Sequence, residues 1–122
     1  MSRSNVQARQ ASPVNGTVER IGPAYRDENA YGGEYRAIHI RGEDGRLYTM
    51  RYVTPNGRDG QPVIREGQQI GAGAVLGTVQ DRARRDPNGR MENHVHMEIR
   101  DRRNRPVDPE PELRPQRRQR QR

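Results

Sequence analysis

The sequence predicts an all-β module, a small antiparallel barrel or sandwich. Three observations lead there. Short stretches alternate apolar and polar residues at a period of two, as in 35–41 and 94–100. Turn chemistry separates them, including the Asp44-Gly45 pair and the Gly/Pro-rich 54–62. No segment holds helical apolar spacing beyond a turn or so.

Taken in order, residues 1–12 are polar and read as a flexible N-terminal segment. Val14 to Val18 is a first strand entered through Pro13, and 22–34, with three Gly and a Pro, is a loop. Tyr35 to Arg41 alternates, with Ile38 and Ile40 on one face and Ala37, His39 and Arg41 on the other. Gly42-Glu-Asp-Gly45 turns the chain, and Leu47 to Val53 returns with Tyr48, Met50 and Tyr52 on one side. Val63 to Gly71 and Ala74 to Val79 read as two short strands around tight glycine turns. Residues 81–93 are a polar loop, and Asp101 to Asn104 is a turn before Pro106-Val-Asp-Pro109.

Composition bounds the chain to one domain of modest core. It has 122 residues, 29% of them hydrophobic, with no Phe, Trp or Cys. Zero Cys removes disulfides and thiolate metal ligands. The N-terminus shows no apolar signal segment, and nothing is apolar enough to span a bilayer. The net charge is +7 and every basic residue is Arg. Five of them, Arg114, Arg117, Arg118, Arg120 and Arg122, form an acid-free tail over 114–122, leaving 18 Arg against 16 acids in 1–113. Such a tail is a solubilising extension or a polyanion-binding segment that gains from counterion release on nucleic acid.

The chemistry-bearing residues concentrate in His94-Val95-His96-Met97-Glu98-Ile99-Arg100. In a strand, His94, His96, Glu98 and Arg100 share one face, and Val95, Met97 and Ile99 face the core. Two adjacent imidazoles on a polar strand face suggest zinc chemistry. Tyr52, Glu98 and Arg100 would then line the same groove.

The order of motifs resembles the lysostaphin-type zinc metalloendopeptidase domain. Gly16-Thr-Val18, the 37–53 hairpin, Val63-Ile-Arg-Glu-Gly-Gln-Gln-Ile-Gly71, Leu76-Gly77, His94-Val-His96-Met-Glu98-Ile and Val107-Asp-Pro109 carry the resemblance, over 13–113. It implies a duplicated-hybrid-motif-like β fold and peptidoglycan cross-bridges as substrate. It gives a zinc-ligand role to His96 and a catalytic role to His94.

The chain departs from that pattern twice. An early H-x-x-x-D motif should precede Gly16, but 1–15 hold neither His nor Asp. Tyr52 stands near the position where the resemblance implies a second catalytic His, at the end of the hairpin. His39 and Asp44 offer a substitute pair, one residue too far apart and with Asp44 in a turn. The expectation is therefore a non-catalytic peptidase-like module without a resident cofactor, acting as a structural or binding component among other subunits. Lack of a signal sequence suggests a virion, such as a bacteriophage particle, or the cytoplasm. Two alternatives stand beside it: an active zinc endopeptidase, and a nucleic-acid-associated protein working through the Arg tail.

Overall fold

The structure, a computed structural model, describes residues 8–81 and 95–107. It is all-β, and the described residues contain no α-helix. Among the described residues nine strands run β1 (Arg9–Ala11), β2 (Gly16–Pro23), β3 (Arg36–Gly42), β4 (Leu47–Arg51), β5 (Val53–Thr54), β6 (Gln69–Ile70), β7 (Val75–Val79), β8 (His96–Arg100) and β9 (Pro106–Val107). They form a six-stranded sheet ordered β6-β2-β3-β4-β8-β9 and a three-stranded sheet ordered β1-β7-β5. Among the described residues every strand pairing is antiparallel, and neither sheet closes into a barrel. No helix among the described residues is long and apolar enough to cross a membrane.

Period-two alternation builds the large sheet. Ile38 pairs with Met50, and Met50 pairs with Met97; Ile40 pairs with Tyr48, and Tyr48 pairs with Ile99. Directly opposed residues point to the same face, so these two rows form one apolar surface. Val53 and Leu76 from the small sheet, with Ile64, close over it, and all three are buried. In a chain without Phe or Trp, these side chains are the main source of hydrophobic stability. Each contributes about 1.5–3 kcal/mol when fully buried.

Several elements depart from the reading of the sequence. Arg9–Ala11, within the segment read as flexible, pairs with β7 in register Arg9–Thr78 and Gln10–Gly77. Its three residues are polar or small, so alternation gives no signal. Of Val63 to Gly71 only Gln69–Ile70 is strand, because Gly67 sits at φ 89° and turns the chain back onto Val18. The returning strand of the 37–53 hairpin ends at Arg51. Tyr52 adopts φ 71°, which breaks the alternation and sends Val53 into the second sheet. Tyr52 therefore leaves the side occupied by Tyr48 and Met50. It joins a separate buried cluster with Tyr35 and Ala24, against which Tyr25 packs.

The Gly42–Gly45 turn forms as the sequence predicts. Gly45 N–H donates to Gly42 O at 2.9 Å, and Gly42 N–H donates to Arg46 O at 2.8 Å. Gly45 has φ 86°, and the Arg102 side chain lies where its Cβ would stand. Any other residue there meets backbone strain, and the Arg102 side chain would have to swing aside.

Candidate functional site

The face of the large sheet opposite the core carries the polar chemistry. Register places Arg20, His39, Thr49 and Glu98 in one row across β2, β3, β4 and β8. The next row holds Gly22, Ala37, Arg51 and His96.

Arg20 reaches this face because of a bulge. Val18 pairs with Ile40 and Arg20 pairs with His39, so Glu19 is an extra residue on β2. Uninterrupted alternation would put Arg20 on the core side with Val18. The bulge re-aims it beside His39 and returns Ile21 to the core side opposite Ile38. Strict alternation along β2 gives Arg20 no role on this face. Its signal is Val18-Glu-Arg-Ile21, where apolar residues stand three apart instead of two.

Arg51 ties the face together. Its Nη1 lies 2.7 Å from Glu98 Oε2, and its Nε donates to Ala24 O at 2.9 Å. The hydrogen bond from Arg51 holds the Glu98 carboxyl below its usual pKa against the opposing effect of burial. His96 Nε2 stands 3.7 Å from the same Oε2 and is largely exposed. His39 Nδ1 lies 3.0 Å from Thr49 Oγ1. Burial, then the positive charges of Arg20 and Arg51, lower the His39 pKa, with Glu19 and Glu98 pulling weakly the other way. Glu19 is engaged by Arg41, whose Nε lies 2.9 Å from it.

Beside this row the loop after β2 rises to form an open cleft of about 400 Å³. Arg20, His39 and Arg51 line its sheet side; Tyr25, Arg26 and Glu28 line its loop side. Tyr25 belongs to an aromatic cluster, with ring centroids 5.3 Å from Tyr31 and 5.8 Å from Tyr52.

The structure thus brings His96, Glu98 and His39 to one sheet face. Tyr52 is not an open strand-face residue: it is buried behind Tyr25. Arg100 lies further along β8, opposite Leu47 and donating to Asn104 O at 3.0 Å. Asp44 is occupied in the hairpin turn, accepting from Tyr48 Oη at 2.6 Å and from Arg46 N at 2.9 Å, so it forms no pair with His39. His94 and the five tail arginines lie outside the described residues.

Zinc needs three converging protein donors. Among the described residues no group of three or more His, Asp or Glu side chains is placed to hold a metal ion. The best fragment, His96 with Glu98, has the Arg51 guanidinium against its carboxylate. These donors alone do not fit a zinc centre. No family model matches the chain, and no curated protein matches it.

Proposed function

We propose that this chain is a non-catalytic β-module, related in layout to lysostaphin-type peptidases, that serves as a binding or structural component. One observation carries the reading: Arg51 caps Glu98 at 2.7 Å, beside His96. A divalent cation seated on His96 and Glu98 would stand against a fixed guanidinium, and the repulsion is strong in a partly desolvated groove. With Arg51 paired to Glu98, Arg20 beside His39 leaves an excess of positive charge on this side of the face, which favours an anion over a metal. A partner or ligand in a larger assembly, including a virion, fits this use of the face.

Metal content tests the proposal. The full chain, purified without chelator and then titrated with zinc, should retain and bind less than stoichiometric metal. His96→Ala should change nothing. Tight one-to-one zinc that His96→Ala abolishes would overturn the reading and restore the peptidase alternative.

A further inference from the structure

The cleft beside the polar row has the chemistry of an oxyanion site. We infer that it binds a phosphomonoester dianion through Arg20, Arg26 and Arg51, with Tyr25 as the wall for whatever ring or chain bears the phosphate. The inference deepens the reading above, since it takes the same sheet face to be a binding surface without a metal.

Three observations carry it. The first is the balance of charge. The lining holds three arginines against one acid, Glu28, with Glu98 just beyond. Arg20 and Arg26 have no acidic partner within 4 Å among the described residues, whereas Arg41, Arg51 and Arg105 each have one. A phosphomonoester carries a charge of about −1.5 to −2 near neutral pH and offers three acceptor oxygens, which suits guanidinium groups.

The second is that the arginines are placed by the fold. The β2 bulge exists at the residue that turns Arg20 onto this face. Its guanidinium lies over Gly22, where a Cβ would approach Arg20 Nε to 3.0 Å. Arg51 is fixed by Ala24 O and Glu98. The bulge thus aims Arg20 at the cleft, and Arg51 is held in place by two partners, so it loses little freedom on binding, which preserves affinity.

The third is His39, between Arg20 and Arg51 on the floor. The groups facing it from its neighbours are Arg20 and Glu19 on β2, Thr49 and Arg51 on β4, and Glu98 on β8. Its two cationic neighbours are the groups a phosphate would neutralise. Binding must therefore make the imidazole easier to protonate, and His39 reports occupancy without touching the ligand.

The test follows the His39 ring by NMR in the full, metal-free chain, assigned by its loss in His39→Gln. Sodium phosphate and adenosine 5′-monophosphate are the two probes, against sodium chloride at equal ionic strength. Either phosphate should raise the His39 midpoint by about one unit in a saturable way. Arg20→Gln should weaken phosphate binding about tenfold, the scale of one charge-assisted hydrogen bond. Arg103→Gln, on the distant β8–β9 turn, should leave it unchanged. Tighter binding of the nucleotide than of free phosphate, lost in Tyr25→Ala, would place the ring on the tyrosine wall. Equal binding would overturn the tyrosine wall while supporting the arginine site for the phosphate group. A response no different from chloride, or one equally reduced by Arg103→Gln, would overturn it. Zinc retention tests the non-catalytic reading separately, so the two can fail independently.

Discussion

Arg51 and Glu98 meet at 2.7 Å diagonally across the β4–β8 ladder, two residues out of register, with side chains only partly exposed. The pair decides which ion this face can accept. It also joins the sheet to the loop over it, because Arg51 Nε holds Ala24 O.

Arg51 and Glu98 should therefore be unequal under mutation. Glu98→Gln removes a partly exposed ion pair and should cost under about 1 kcal/mol. Arg51→Met also leaves Ala24 O without its donor and should cost about 1–2 kcal/mol more. Urea unfolding of both single variants and the double variant measures this. Equal losses would show that the Ala24 contact contributes nothing.

Gly77 should tolerate no side chain. A Cβ there would run into the carbonyl oxygen of Thr54 on the neighbouring strand, a backbone atom that cannot swing aside. Gly77→Ala should destabilise by about 1–3 kcal/mol or more through strain in the three-stranded sheet. Gly73→Ala places its Cβ in open space, although φ 89° strains it, and should cost about 1 kcal/mol. Thermal melts of the two variants give the comparison, and a Gly77→Ala melt no worse than that of Gly73→Ala would contradict the packing argument.

Alternation identifies the large sheet, since Ile38, Ile40, Tyr48, Met50 and Ile99 all become core. The hairpin turn is legible in Asp44-Gly45 because its chemistry is local. The site is only half legible. His96 and Glu98 share a face as their spacing demands, but Arg20 reaches it through a bulge, and Arg51 matters through a cross-strand partner 47 residues away. Tyr52 escapes for a related reason. Its left-handed φ ends the strand, and no local signal marks a tyrosine for that conformation.

Met50 lies at the crossing of the core rows, between Ile38 and Met97, and is fully buried. Met50→Ala should cost about 2–5 kcal/mol, the range for such a truncation with its cavity. Val75→Ala, on an exposed position of β7, should lie within about 0.5 kcal/mol of the parent. Denaturant midpoints with unchanged slope would show that both effects belong to the folded state.

Acid should weaken the fold in two stages. His39 is held below its ordinary pKa, so between that folded value and about 6.5 the unfolded chain binds more protons. Stability is then complete above about 6.5 and declines as pH falls towards the folded value. Glu19 and Glu98 are also depressed, each mainly by its arginine hydrogen bond. Their contribution is present above the ordinary carboxylate range and is lost below about 4.5. Urea midpoints recorded in phosphate-free buffers should show both legs. His39→Gln should flatten the first and leave the second. A His39→Gln profile that still declines from pH 6.5 would assign that leg to another group and remove His39 from the electrostatics of the cleft.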